Sequence, residues 1–431
     1  MADSFLNVAA LATRLQDKFI PGMEEILSYQ FLMADNLKRA KRIKVEGNEF
    51  IFLTHTGRNE GHGWRAEGED LPEADFQKYN RGKMPAYYFY HTGAVTGPGM
   101  ARAKGPSAWV TEIAGEIERI MKDALREHNQ CFYGNQSATR ATVDTIAGQV
   151  VTMRNTHVFG EYSVNLLRRG MRIRCRNAAG TAYTCASFKI LRVNHAAGTI
   201  TAPAGVDLSG LTAGDIVHIS GNWDPVNQSK ECLGVLNGID DGTTSAVYLG
   251  IPRVGVSQIP EWQSVKLGND AAAVPLTLGQ LQQLETLVDV NAPEPEQTKN
   301  NIYITTHTVR DFYFLNLIQQ PERRFIGNDK PLRYDAGFAG VDYNAHRWYV
   351  DRDCPRGTQL YMNIGKFEFA ILNEWDFLKD LKPGGGMLLL QNNKDAYKFH
   401  LKRYHSGPFT RCPRQHGVRV GIQDTGVRVI N

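Results

Sequence analysis

Between Glu46 and Ala103 the chain runs through a long, glycine-rich stretch that lacks the apolar density to build a core of its own. Glycine stands at 47, 57, 61, 63, 68, 82, 93, 97 and 99, and the middle, from His55 to Lys83, is mostly polar and charged. Two apolar runs bracket it, Phe50-Ile51-Phe52-Leu53 on the way out and Tyr87-Tyr88-Phe89-Tyr90 on the way back. Structureless loops beyond about 12–15 residues are uncommon in compact domains and are usually functional or disordered. Two short strands with such a tip read as a projecting hairpin, and an isolated hairpin is marginal in water. An arm of this kind needs something outside its own subunit to hold it, which points to an assembly.

The rest of the chain is an ordinary globular sequence. Its 431 residues allow two or three domains, at ~100–200 residues each. A 42% hydrophobic and 22% charged composition can support a sizeable core. No run of 18 or more apolar residues marks a membrane span, and Met1-Ala2-Asp3-Ser4-Phe5 does not open a secretory signal. Six scattered cysteines without a CxxC pair support neither structural zinc nor a redox motif, and read as free thiols in a reducing compartment. The net charge of +4 is too mild to diagnose nucleic-acid binding. The segment from Lys394 to Asn431 is more basic, at +6, so Lys398, Lys402, Arg403, Arg411 and Arg414 are candidates to face DNA or an acidic neighbour. The alternative is a solvated face balanced elsewhere.

Periodicity gives the elements. Leu11, Leu15, Phe19, Met23, Ile26, Leu27 and Phe31 form a helical stripe interrupted by Pro21-Gly22. Ile113, Ile117, Ile120, Met121, Ala124 and Leu125 recur at three and four, with Glu112, Glu116, Glu118, Lys122 and Arg126 facing away, and the helix ends near Gly134. Residues 151–221 carry short β-prone runs separated by turns, the pattern of a small antiparallel insertion. Thr277 and Gln280 form a capping box for a helix with Leu278, Leu281, Leu284, Leu287 and Val288. Strands are expected at 301–305, 346–350 and 359–363, with a helix carrying Val309, Phe312, Tyr313 and Leu317. Strands and helices do not alternate regularly, so the class is α+β.

No constellation of catalytic residues stands out. Gly97-Pro98-Gly99 fails the dinucleotide fingerprint because Arg102 occupies the third glycine position. Asp351-Arg352-Asp353 could share a hard cation, which would make a metal-dependent enzyme, but it sits in turn chemistry before Cys354-Pro355-Arg356-Gly357. His400 and His405, five apart, share no face on which to ligate one ion. His62 is a lone histidine in the arm tip, and Pro383-Gly384-Gly385-Gly386 leads into Met387-Leu388-Leu389-Leu390 rather than a phosphate-binding Lys-Ser/Thr. No Gly-x-Ser-x-Gly elbow occurs. We expect no catalytic, metal or cofactor site.

The order of these parts resembles the major capsid proteins of tailed double-stranded DNA bacteriophages, with the Hong Kong ninety-seven type of fold. Lys122-Asp123-Ala124-Leu125-Arg126-Glu127-His128-Asn129-Gln130 with Phe132-Tyr133-Gly134 resembles the end of the family's spine helix. Thr308-Val309-Arg310-Asp311-Phe312-Tyr313 and Asp353-Cys354-Pro355-Arg356-Gly357-Thr358-Gln359-Leu360-Tyr361 resemble its axial domain. The resemblance implies an N-terminal arm over residues 1–45 and an E-loop over 46–105. It implies a peripheral domain over 106–150 and 226–270, a β-rich insertion over 151–225, an axial domain over 271–385 and a C-terminal return to the peripheral domain over 386–431. It implies hexamers and pentamers closing an icosahedral head around DNA, assembled in a bacterial cytoplasm. Portal, decoration and separate scaffolding proteins are the implied partners, the last because no room precedes the N-terminal arm for a fused scaffold. The encapsulin-like compartment, with the same fold and an enzyme cargo, stays open.

On that basis Phe50, Phe52, Tyr87, Tyr88 and Phe89 would anchor the arm. Trp64 and Phe76 would engage a neighbour, and Arg58, Arg65, Glu67, Glu69, Asp70, Lys78, Arg81 and Lys83 would set register by charge. Ile113, Ile117, Ile120, Met121 and Leu125 would pack the spine helix. Lys78 and Lys83 lie where some members form a covalent cross-link, but nothing identifies an acceptor.

Overall fold

The computed structural model describes residues 31–38, 40–45, 49–96, 112–154, 164–226, 228–268, 273–313, 341–344, 346–378, 389–390 and 395–424. The N-terminal stripe from Leu11 to Leu27, Leu317, and the glycine segments at 97–105 and 384–386 lie outside them. Three sheets organise the described chain.

The first sheet has five strands. Lys41–Lys44, Phe367–Phe377, Ala396–Thr410 and Leu389–Leu390 follow in order, and Tyr87–Thr96 also pairs with Ala396–Thr410. The helix Glu112–Tyr133 lies against it. Ile120 and Ala124 are buried with Phe399 and Leu401, and Met121, Phe89, Trp375 and Phe377 pack around them. Gly93 marks the closest approach, because a Cβ there would lie 2.3 Å from Phe399 and 2.5 Å from Ile120. Leu125 is only half-buried, and the side chains of Ile113 and Ile117 lie outside the description. Arg126 corrects the expected polar face: it is buried, as are His128, Asn129 and Gln130. The C-terminal third of this helix is enclosed on several sides, which a single apolar stripe does not reveal. Gly134 donates its N–H to the Cys131 carbonyl at 2.9 Å.

The second sheet has seven strands, ordered 188–189, 172–176, 216–219, 141–147, 150–153, 199–201 and 192–194, all antiparallel. Val143, Val151, Ile173, Ile200 and Val217 fill its core. The β-rich unit thus begins with Ala141–Ala147, before the expected boundary at 151, which falls inside a hairpin. The turn is two residues long, with Gly148 at φ +60°.

The third sheet has six strands, in the order Val265–Leu267, Gly417–Arg419, Gln359–Met362, Ile302–Thr305, His346–Val350 and Val341–Tyr343. Helix Leu278–Asn291 opens with the Thr277–Gln280 capping box and buries Leu281, Leu284 and Val288 against Tyr303, Trp348 and Tyr361. Two expected domain boundaries are crossed. Phe367–Phe377 belongs to the sheet under the long helix, although it falls within 271–385. Gly417–Arg419 joins the third sheet, although it falls within 386–431.

The arm is a two-stranded hairpin, Glu49–Gly57 with Lys78–Pro85, and residues 58–77 form its tip. The bracketing runs do not pair with each other as the sequence suggests. Phe50 faces Met84 and Phe52 faces Gly82, while Tyr87 to Tyr90 pair with His405 to Lys402 in the first sheet. The polar run Lys78-Tyr79-Asn80-Arg81-Gly82-Lys83 conceals the return strand, because only its alternate residues need to be apolar.

Candidate assembly surface

The arm has a rooted face and an open face, and the strand pleat separates them. Phe50 and Phe52, 2% and 8% exposed, join Met84, Tyr248, Leu249, Trp262 and Phe409 in one cluster. The Phe52 ring lies 6.2 Å from Trp262 and 6.0 Å from Phe409. It also covers Gly82, where a Cβ would come within 2.2 Å of the ring. The Lys83 N–H donates to the Leu249 carbonyl at 2.8 Å, and Lys83 Nζ lies 3.9 Å from Glu49. Under this root Arg253 is fully buried, donating to the carbonyls of Asn237, Gly238 and Trp262 and stacking on Tyr248.

The opposite face carries Ile51, Leu53 and Tyr79, all exposed, and the tip adds Trp64, Leu71 and Phe76. Trp64 is fully exposed. Large apolar side chains gathered in water are what protein interaction surfaces offer. The tip holds its own shape. Asp75 accepts from the Glu60 N–H at 3.0 Å and, through its main-chain carbonyl, from Asn59 at 2.6 Å; the Glu60 and Phe76 N–H groups hold its carboxyl below the usual range. Arg65 donates to the Asp70 carbonyl at 2.9 Å, and Glu69 accepts from the Ala66 N–H at 3.0 Å. Arg58, Glu67, Lys78 and Arg81 are exposed on the arm.

Tyr87 and Phe89 are half-buried against the long helix and Tyr88 is exposed, so these residues sit beside the arm rather than in its hairpin. Gln136 hydrogen-bonds Tyr87, whose hydroxyl is pushed up to about 12 by burial.

The basic C-terminal residues do not form one face. Along Ala396–Thr410 the even positions Lys398, His400 and Lys402 point away from the helix and the odd ones towards it. Arg403 is therefore buried, 3.6 Å from Glu374 and stacked on Trp375. Arg411 pairs with Glu368 at 2.7 Å and Arg414 with Glu261 at 3.9 Å. The same alternation separates His400, hydrogen-bonded to Thr92, from His405 in the core.

Asp351 and Asp353 are both buried. Tyr133 donates to Asp351 at 2.8 Å, and Asn129 donates to Asp353 at 2.8 Å while its carbonyl oxygen accepts from the Ala34 N–H at 3.0 Å. Asp351 also accepts from the Asp353 N–H at 2.9 Å. Burial and the neighbouring Asp353 carboxylate push Asp351 up to about 6. This is a joint between the N-terminal segment, the long helix and the third sheet, built of amide and hydroxyl donors.

Glu127, Cys131 and Glu231 gather metal-type ligand atoms within 4.8 Å of one another. The cation among them is Arg140, fully buried and 2.8 Å from each glutamate. Arg140, Glu231 and Arg253 carry no local sequence pattern that singles them out. Among the described residues no helix is long and apolar enough to cross a membrane.

No family model matches the chain, and no curated protein matches it in sequence. Solved structures do. The capsid asymmetric unit of cyanophage A-1(L) aligns over 97% of this chain and 98% of its own, with a TM-score of 0.57 and 12% identity. The capsid of a native GTA particle aligns over the same shares with a TM-score of 0.51 and 12% identity. The holo-SrpI encapsulin complex of Synechococcus elongatus PCC 7942 covers 99% of both chains at a TM-score of 0.45 and 8% identity. With its long helix on a sheet, its projecting arm and its separate six-stranded sheet, this chain has the Hong Kong ninety-seven type fold of phage capsid subunits.

Proposed function

We propose that this chain is a structural shell subunit that assembles as hexamers and pentamers into an icosahedral head around double-stranded DNA. The observation that carries the reading is the arm. Its root is buried in its own subunit, whereas Ile51, Leu53, Trp64, Leu71 and Phe76 face water. A fold shared with capsid subunits and an arm whose apolar face has no cover in the monomer together call for identical neighbours. Tiling by a self-complementary chain supplies them. The function is structural, and the virion is its place. Portal, scaffolding and decoration proteins are the partners of such a shell.

The test is expression of the full chain followed by sedimentation and negative-stain imaging. Closed particles are expected, and removal of residues 58–77 is expected to leave soluble subunits that do not close. Normal particles from that deletion would sink the proposal. Particles that carry a protein cargo in place of nucleic acid would move the reading to an encapsulin-like compartment.

A further inference from the structure

An open cleft of about 1700 Å³ lies where the long helix, the β-rich insertion and the third sheet converge. Its walls include Arg126, Arg168, Arg169, Arg192, Lys230 and Arg352. Arg169 and Arg192 are exposed at the insertion edge, Lys230 there pairs with Asp224 at 2.9 Å, and Arg168 and Arg352 are half-buried deeper in. Most carboxylates in the same walls are already engaged. Glu127 and Glu231 hold Arg140, Asp311 holds Arg310, and Asp424 lies 3.7 Å from Arg356 and bonds Thr306. The cleft is therefore cationic, with Tyr88, Tyr90, Met171 and Val193 adding apolar surface.

The arm tip is its complement. Residues 60–75 hold Glu60, Glu67, Glu69, Asp70, Glu73 and Asp75 against Arg65 alone among Lys and Arg. Hydrogen bonds from this tip stay within the arm, and among the described residues no ion pair joins its carboxylates to a basic side chain. Neither feature satisfies the other within one chain.

We infer that the acidic arm tip of a second copy of this chain seats in the cationic cleft, with Glu67, Glu69 and Asp70 against Arg168, Arg169 and Arg192. This rests on the shell reading and names the receptor surface for the arm. Complementary potentials across such a contact fix register and speed encounter. Trp64 and Leu71 beside the acids fit the aromatic and aliphatic part of the walls. A phosphate backbone would match the charge alone, since nucleic-acid interfaces are more polar and more positively charged than protein interfaces.

The experiment uses the full chain in three forms. One carries Glu67→Lys, Glu69→Lys and Asp70→Lys, a second carries Arg169→Glu and Arg192→Glu, and a third carries all five. All five positions are exposed, so circular dichroism should show native folding in each. Each single set should lower the assembled fraction about tenfold, and the combined chain should recover most of it. Normal assembly by either single set overturns the inference. So does a combined chain whose defects add, or one in which the arginine set assembles normally with less nucleic acid inside. A separate full chain with Glu69→Cys and Arg169→Cys should form an intermolecular disulfide on mild oxidation that neither single cysteine variant forms. That trap without particles would retain the tip–cleft contact and remove the shell reading. Particles without the trap would retain the shell and remove the contact.

Discussion

Nε2 of His405 lies 3.0 Å from Nε2 of His128, inside the seam between the long helix and the first sheet. The surrounding bonds fix where each proton sits. The Gly407 N–H donates to His405 Nδ1 at 2.8 Å, so His405 carries its proton on Nε2 and donates to His128. His128 then accepts on Nε2 and donates from Nδ1 to the Ala124 carbonyl at 2.9 Å. Phe89 and Trp375 close over the His128 ring, at 4.4 and 4.8 Å between centroids. The pair works only with both rings neutral. Burial and the Arg403 charge accordingly hold His128 down to about 3 and His405 well below its ordinary value.

The first prediction is acid lability of the seam. A histidine held down in the fold contributes its full stability above the unfolded value near 6.5 and loses it as pH falls towards the folded value. The window therefore runs from about 6.5 down to 3, with a loss of about 2 kcal/mol per such histidine by pH 5. His416, at about 3, and His218, at about 4, act in the same sense. Asp351, raised to about 6, acts oppositely, since its contribution fades as pH rises from 3.8 to 6. Thermal unfolding of the full chain should drop between pH 7 and pH 5. His128→Phe should flatten that drop while costing about 1–3 kcal/mol at pH 7, because the His405 N–H loses its acceptor. An unchanged slope in the variant would remove His128 as its source.

The second prediction separates the two faces of the arm. Phe52→Ala empties a packed site among Trp262, Phe409 and Gly82 and should destabilise the subunit by about 3–5 kcal/mol. Trp64→Ala removes a side chain that touches water and should leave subunit stability within about 0.5 kcal/mol while lowering the yield of closed particles. Denaturant unfolding of unassembled subunits, beside particle yields, reads both. Equal losses of subunit stability in the two variants would contradict the division of faces.

The third prediction concerns the cation inside the helix–insertion junction. Arg140→Met leaves Glu127 and Glu231 facing each other without their shared guanidinium. Breaking a buried pair by removing one partner should cost about 3–5 kcal/mol. Replacing Glu231 with Gln in the Arg140→Met chain should recover part of that loss. A loss in the double variant equal to the sum of the single ones would show that the groups do not act as a unit.

Periodicity made the regular parts legible. The capping box at Thr277, the long helix and the strands at 302–305, 346–350 and 359–362 follow from spacing and local side-chain chemistry. The glycine-rich arm was visible as a projection, but its return strand was not, because Lys78 to Lys83 hides its inward face behind charged neighbours and two small or flexible inward residues, Gly82 and Met84. The polar joints were also hidden. Arg140 and Arg253 look like solvated charges in sequence, and only long-range partners such as Glu231 and the 237–238 carbonyls make them interior groups. Arg403 and Arg411 read as a basic face for the same reason, since their acceptors Glu374 and Glu368 lie on a different strand.

The last prediction returns to Asp351 and Asp353, whose spacing suggests a cation. Each described partner of their oxygens is a hydrogen-bond donor: Tyr133, Asn129, Gln130 and the Asp353 N–H. Those donors already occupy oxygen positions that a dication would have to take as ligands. Chelator treatment should therefore leave the melting temperature of the full chain unchanged, and added magnesium or calcium should not raise it. Asp351→Asn keeps an acceptor for Tyr133 and relieves the repulsion from Asp353, so it should be tolerated best above pH 6, where the wild-type carboxyl is ionised. Asp353→Leu removes the acceptor for Asn129 and Gln130 and should cost about 1–3 kcal/mol. A fall in melting temperature with chelator, abolished by Asp351→Asn, would establish the cation site in place of the joint.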